Sequence, residues 1–284
     1  MGPVDLHVHS NKSDGSKTPE ELVHLAIEKG LSAFALTDHD TVDGIDEAMA
    51  CADRLRSEGV PNVPEVIPGI ELSTEYQGKD IHLVGLYIDH HSAAFRTYLQ
   101  EFVDSRTERN RKMCARLTEA GIDIFYEKLV AEFPDSVLTR AHYAVYLVNH
   151  GYSLSKEDAF SQYLGDHTKY FVPREKITPE MGVSLILQAG GNPILAHPVL
   201  YRMSDKRLNE LVARLQKAGL VGIEAIYATY NQAEEHQMRK LAAKYDLCIS
   251  GGSDYHGAAK PGLEMGTGYG GLFVPEDVLE QFIK

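Results

Sequence analysis

Short apolar runs alternate with stretches whose apolar residues recur at helical spacing over most of the chain. That alternation predicts a βα-repeating domain. Residues 5–9 read as a first strand, and Thr18-Pro19-Glu20-Glu21 as a helix start. Thr18 is placed to cap, Pro19 suits the first turn and Glu21 completes a capping box. The helix runs through Leu22, Leu25 and Ala26 and stops near Gly30. A strand over 33–37, a helix over about 42–58 and strands over 66–72 and 80–87 follow, the last two separated by a turn at Gln77-Gly78.

Over 92–172 the alternation lapses. Residues 95–120 read as one long helix, 140–150 and 156–164 as two more, so this block is expected to be a helical cap inserted into a domain formed by 1–91 and 173–284. The βα pattern resumes with a helix after Thr178-Pro179-Glu180, strands over 192–197, 222–226 and 247–252, and helices over 205–218 and 232–245.

With 43% hydrophobic and 24% charged residues, a disordered or fibrous chain is excluded. No apolar run approaches the roughly 18 residues of a membrane span. Met1-Gly2-Pro3-Val4-Asp5 has no signal-peptide character, and Cys51, Cys114 and Cys248 are odd in number and never spaced C-x-x-C. A cytoplasmic protein with reduced thiols is expected, with no membrane partner. Nothing marks an oligomer, so a monomer is the default. The formal charge, 28 − 41 = −13, argues against a duplex-DNA binder. An anionic substrate would need local cations.

Candidate chemistry collects at the strand ends: His7 and His9, then Asp38, His39 and Asp40, then Glu71, His82, His197, Asp254 and His256. Catalytic residues of barrel-like α/β folds gather at the C-terminal ends of strands. Imidazole and carboxylate suit Zn²⁺, Mn²⁺ or Fe²⁺, and two His two apart on a strand point the same way. One H-x-H pair alone carries little weight, but recurrence at successive strand ends points to a multinuclear metal site. His90, His91 and His150, by contrast, read as loop or helix-surface residues.

The motifs D-L-H-V-H-S-x-x-S-D-G, L-T-D-H-D at 36–40, G-I-E at 69–71, A-H-P at 196–198 and G-S-D-Y-H at 252–256 resemble the polymerase and histidinol phosphatase (PHP) family. The resemblance implies a distorted (β/α)₇ barrel, phosphoester hydrolysis and two to three divalent cations, Mn²⁺ first, Fe²⁺ or Zn²⁺ otherwise. Carried over by position, His7, His9, Glu71 and Asp254 would hold a first metal. Glu71 would bridge to a second completed by His82 and His197, and Asp14, His39 and His256 would hold a third. Three such ions would bring the charge to about −7, concentrated as a positive cleft. A hydroxide between metals is the expected nucleophile.

Asp38 is expected to orient a ligating imidazole and Asp40 to pass a proton to the leaving oxygen. In the cap, Arg140 and His142 form an Arg-x-His pair similar to that of members acting on nucleotides, and both are expected at the substrate. Lys169 is a second phosphate candidate, and Tyr227 and Asn231 are candidates for a base or sugar. Arg106, Arg109, Arg111, Lys112 and Arg116 crowd one helix and read as a solvated or ion-paired face.

The chain is more similar to stand-alone members than to polymerase appendages or histidinol phosphate phosphatases. The expected function is therefore hydrolysis of small phosphorylated nucleotides or sugars, of the 3′,5′-nucleoside bisphosphate type, extending to 5′-to-3′ attack on short single-stranded RNA. A dihydrolase opening a sugar 1,2-cyclic phosphate is the nearest alternative. A metal-dependent amidohydrolase and a non-catalytic metal-binding module are the alternatives from other classes. No Lys stands at a strand end to serve as a carboxylated bridge, which weighs against the amidohydrolase.

Overall fold

Every residue of the first strand, β1 (Val4–Val8), is buried, as strands covered on both faces must be. A computed structural model describes residues 2–134, 136–173 and 177–283. After β1 come α1 (Pro19–Glu28), β2 (Ala33–Leu36), α2 (Ile45–Ser57), β3 (Glu65–Tyr76) and β4 (Lys79–Leu86). The helical block holds α3 (Ala93–Glu119), α4 (Tyr126–Glu132), α5 (Arg140–Asn149) and α6 (Lys156–Ala159). Then follow α7 (Pro179–Gln188), β5 (Asn192–Leu195), α8 (Asp205–Ala218), β6 (Gly222–Tyr227), α9 (Gln232–Lys244), β7 (Cys248–Gly252) and α10 (Asp277–Glu280).

The seven strands form one sheet in chain order. It curls into a nearly closed α/β barrel: His9 donates its N–H to Tyr255 O at 2.9 Å, and Val8 bridges Tyr255 in parallel across the β1–β7 seam. Gly252 is required there, because a Cβ would stand 2.5 Å from the Cβ of His7. The barrel departs from a regular βα repeat at β4, which pairs antiparallel with both β3 and β5. The Gln77-Gly78 turn links β3 and β4 directly, with φ of 51° and 74°, as a two-residue hairpin demands.

Two apolar clusters cover the two faces of this sheet. One packs Phe34, Ile70, Leu83 and Ile223 against Leu22 and Val23 of α1, Cys51 of α2 and Leu211 of α8. The other joins Val4, Leu6, Ala35, Ile67, Val84, Ile194 and Ile226 to Val278 and Phe282 of the C-terminal segment. A bulge in β1 between Asp5 and Val8 resets its alternation, and a second lies in β6 between Glu224 and Ile226. Bulges re-aim side chains at barrel rims. Here they lie beside the candidate site.

The helical block carries its own apolar cluster, with Met113, Leu117, Leu129, Tyr143, Tyr146 and Leu147 at its centre. It rests on the loop after β1: Val137 N–H donates to Lys12 O at 2.9 Å and Ser136 Oγ to Asn11 O at 2.6 Å. The helix expected over 156–164 breaks after four residues, α6 passing into a π turn over Phe160–Leu164. The short helices α4 and α10 escape sequence reading because one or two turns show no resolvable periodicity. No helix among the described residues is long and apolar enough to cross a membrane.

Candidate metal centre and cleft

The structure brings all nine expected ligands together at one end of the barrel. Glu71, buried within β3, stands at the centre. Its Oε2 lies 3.2 Å from Nε2 of His7, 3.2 Å from Nε2 of His9 and 3.1 Å from Nδ1 of His39. Its Oε1 lies 2.8 Å from Nδ1 of His82 and 2.9 Å from Nε2 of His197. One carboxylate therefore addresses two sets of imidazoles with separate oxygens. Asp254 Oδ1 joins the first set, 3.6 Å from His7 Nε2 and 3.3 Å from His9 Nε2. Asp14 Oδ1 lies 3.2 Å from Nε2 of His256 and 3.9 Å from Nε2 of His39.

The sequence-derived partition into three separate sets is less sharp in space. His9 converges with Asp14, His39 and His256 as well as with His7, Glu71 and Asp254, and His39 converges with Glu71 and His82. Backbone conformation is strained around these groups: Asp40, His197 and Asp254 have φ of 55°, 28° and 56°. Positive φ at non-glycine residues costs about 1–3 kcal/mol each and gathers at functional sites.

The residues fit a metal. His7 Nε2, His9 Nε2, His39 Nδ1 and Asp14 Oδ1 are buried without a hydrogen-bond partner among the described residues, a costly arrangement unless a cation takes their lone pairs. The contacts around Glu71, 2.8–3.2 Å, are those of ligands sharing an ion at about 2.0–2.2 Å.

Electrostatics tell the same story. Burial disfavours the carboxylates of Asp14, Glu71 and Asp254, yet the surrounding imidazoles, with Lys260 beside Asp254, hold all three well below the usual range. Burial also opposes charge on His7 and His9, but Glu71 and Asp254 outweigh it, with Glu224 adding to the effect at His7. His7 is raised well above its ordinary value and His9 is pushed up to about 9. His39 falls to about 3, because there burial prevails over Glu71 and Asp14.

Several further residues, not singled out as site candidates, support these groups. Glu224 of β6 places Oε1 3.0 Å from His7 Nδ1 and accepts the His197 N–H at 2.7 Å through Oε2. Lys260 Nζ lies 2.5 Å from Asp254 Oδ2. Thr139, capping α5, donates Oγ–H to Asp14 Oδ2 at 3.2 Å.

The expected orienting carboxylate, Asp38, makes no direct hydrogen bond to an imidazole among the described residues. It accepts from Ser10 N, Ser10 Oγ and Ser13 Oγ at 2.8, 2.6 and 2.6 Å, and Ser13 Oγ in turn lies 3.4 Å from His9 Nδ1.

A cleft of about 510 Å³ opens over the cluster, lined by Asp14, His39, His82, Arg106, Arg109, Arg140, Phe160 and Phe171 among others. Arg106 and Arg109 are only 8% exposed, so the expected solvated face of α3 instead turns two cations inward. Arg106 is bound to Asp40, whose other oxygen accepts the Ser73 N–H at 2.8 Å. Asp40 thus anchors Arg106 at the wall of the cleft. Arg140 pairs with Asp166 at 2.5 Å and Asp80 at 3.5 Å, its guanidinium 5.3 Å from the Phe171 ring.

The remaining substrate candidates are not among the residues that line this cleft. His142 Nδ1 accepts the Thr139 N–H at 2.9 Å, closing the capping box of α5, and its ring packs against Phe133 at 4.7 Å. Tyr227 is buried and donates Oη–H to Asp254 Oδ2 at 2.6 Å. Asn231 caps α9, accepting from Ala233 N and Glu234 N at 2.9 and 3.0 Å. Lys169 is exposed outside the cleft, Nζ 5.0 Å from the Tyr170 ring.

Fold and site define an α/β barrel with a cluster of imidazoles and carboxylates at one end that could hold metal ions. The model of the PHP domain family matches residues 5–176, and the chain belongs to that family. It is a metal-dependent hydrolase of phosphate esters.

It is 37% identical over 252 residues to a 5′-3′ exoribonuclease of Haemophilus influenzae, covering 89% of each chain. A 3′,5′-nucleoside bisphosphate phosphatase of Chromobacterium violaceum is 32% identical over 268 residues, 94% of this chain and 91% of the relative. A phosphoribosyl 1,2-cyclic phosphate 1,2-diphosphodiesterase of Eggerthella lenta is 29% identical over 89% of this chain and 94% of the relative.

Among solved structures, one from Bifidobacterium adolescentis described as a metal-dependent phosphoesterase superposes with a TM-score of 0.84 at 25% identity, covering 100% of this chain and 98% of the other. One from Chromobacterium violaceum, described as an amidohydrolase with bound sulfate and no metal, gives 0.86 at 29% identity with the same coverage.

Proposed function

We propose that the protein removes nucleotides from the 5′ end of short RNA and hydrolyses 3′,5′-nucleoside bisphosphates in the same cleft. The observation that carries the chemistry is Glu71, one oxygen turned to His7, His9 and His39 and the other to His82 and His197. The relatives named above as an exoribonuclease and a bisphosphate phosphatase support the substrate class.

In this reading His7, His9, Glu71 and Asp254 would hold one cation, His82 and His197 together with Glu71 a second, and Asp14, His39 and His256 a third. When bound, such ions lower the pKa of water toward neutrality and offset charge developing on phosphorus oxygens. Mn²⁺ is the proposed metal, Fe²⁺ and Zn²⁺ being compatible with the same donors.

The chain's own residues then do three things. Glu224 holds His7 in one tautomer and orientation through its Nδ1. Arg140 offers a planar fork at the cleft for a substrate phosphate. Phe160 and Phe171, on the same wall, provide surface on which a base can stack. The proposal involves single strands and small phosphorylated molecules rather than duplex DNA, and a cytoplasmic setting.

The test is product release by manganese-loaded protein from a 5′-phosphorylated short RNA, a 3′,5′-nucleoside bisphosphate, a 5′-mononucleotide, histidinol phosphate and a sugar 1,2-cyclic phosphate. Turnover of the first two in preference to the others is expected. Turnover of the cyclic ester alone would replace this reading with the diphosphodiesterase, and release from none would overturn the substrate assignment.

A further inference from the structure

A second cluster of metal-ligating groups lies outside the cleft, where the chain leaves the barrel for the helical block. Asp46 sits in the first turn of α2, and His90 and His91 form the turn between β4 and α3. Nε2 of His90 lies 2.9 Å and Nε2 of His91 3.3 Å from the same oxygen, Oδ1 of Asp46. The two rings tilt against each other with centroids 4.1 Å apart. Three donors from three side chains thus converge on one point.

Each donor rests on an anchored backbone. Asp89 N–H donates to Ala189 O at 2.7 Å, His91 N–H to Asp89 Oδ1 at 3.1 Å, and Arg96 Nε to His90 O at 2.7 Å. The His90 side chain is 10% exposed while those of His91 and Asp46 are 65% and 60% exposed, so the cluster is fixed on its inner side and open to solvent on its outer side. The neighbouring cation, Arg96, is turned to Asp43 at 3.8 Å as well as to the His90 carbonyl. Separations of about 2.9–3.3 Å are those of ligand pairs around one ion bound at about 2.0–2.2 Å, and two imidazoles with one carboxylate select a borderline transition metal over Ca²⁺ or Mg²⁺.

We propose that Asp46, His90 and His91 form a separate surface site for a divalent transition metal, best fitted to Zn²⁺, tying the β4–α3 turn to α2. Water fills the remaining positions on the open side. This site goes beyond the hydrolytic reading and does not depend on it.

The test measures zinc bound after gel filtration to the wild type, His91→Ala, Asp46→Asn and Glu71→Gln, together with acylation of His91 by diethylpyrocarbonate with and without zinc. The wild type should retain one equivalent more than His91→Ala or Asp46→Asn, both of which keep full hydrolytic activity. Zinc should protect His91 in the wild type and in Glu71→Gln but not in Asp46→Asn. Equal zinc content in the wild type and both surface variants would overturn the proposal, as would acylation of His91 that zinc leaves unchanged.

Discussion

Oε1 of Glu224 lies 3.0 Å from Nδ1 of His7, although 217 residues separate the two along the chain. The same carboxylate accepts the backbone N–H of His197 through its other oxygen. One buried side chain of β6 therefore fixes a ring on one side of Glu71 and a backbone turn on the other. Outer carboxylates of this kind are worth about 10–100-fold in metal affinity. Glu224→Gln should weaken manganese binding by that factor, with activity largely recovered at high metal concentration. Unchanged metal affinity, measured by titration of the metal-free protein, would deny Glu224 this role.

Glu71→Gln removes the charge shared by both imidazole sets. A loss of several kcal/mol of transition-state stabilisation is expected, about 10³-fold or more in kcat. Retention of more than a few per cent of wild-type activity at saturating metal would contradict the shared-carboxylate assignment.

Arg140→Ala tests the cleft separately from the metals. A charged hydrogen bond to substrate is worth about 1.5–3 kcal/mol, so kcat/KM should fall about 10–100-fold. Metal content should stay the same. Loss of metal in this variant would mean that Arg140 supports the site through Asp80 and Asp166 and does not touch substrate.

His142 makes the opposite prediction. Its Nδ1 closes the cap of α5, so His142→Ala should cost about 1–3 kcal/mol of stability and lower Tm by a few degrees. Glutamine supplies the same acceptor at this position of a capping box, and His142→Gln should recover the stability. A drop in kcat larger than 10-fold in a well-folded His142→Gln, on the order of one transition-state hydrogen bond, would restore a catalytic role.

Metal uptake should be linked to protons. In the metal-free protein His7 is raised well above its ordinary value and His9 to about 9, so near neutral pH both rings hold a proton that a cation must displace. Apparent affinity should therefore rise with pH between about 7 and 9 and fall as the medium becomes more acidic. Calorimetric titrations with Mn²⁺ in two buffers of different ionisation enthalpy give the number of protons released. No release near neutral pH would contradict this account.

The ligands were legible because they recur strand by strand, with His9 after β1, His39 after β2, His197 after β5 and Asp254 after β7. Glu71 lies inside the longer β3, and His82 in the first half of β4, which reaches the same end of the barrel because it runs antiparallel. The Gln77-Gly78 turn was legible too, through the glycine that adopts positive φ without steric cost. Glu224 was not singled out, although a lone Glu inside Gly222–Tyr227, a wholly buried strand, is itself a signal that a partner waits across the fold. Tyr227 and Lys260 could be understood only after β7 and its following loop brought Asp254 to them.

Local capping explains two of the displaced candidates. Asn231-Gln232-Ala233-Glu234 reads as a capping box, and that use of Asn231 takes precedence over a substrate contact. His142 serves the same end in α5. For Arg106 and Arg109 the surface reading failed because α3 packs beside the cleft, and Asp40 supplies the counter-charge that lets Arg106 be buried.

The central claim is that one glutamate serves two cations. Anomalous scattering from crystals of the manganese-loaded protein tests it directly. The account predicts a peak beside Oε2 of Glu71 among His7, His9 and Asp254, and a second beside Oε1 among His82 and His197. A single peak, or peaks that leave Glu71 uncoordinated, would contradict it.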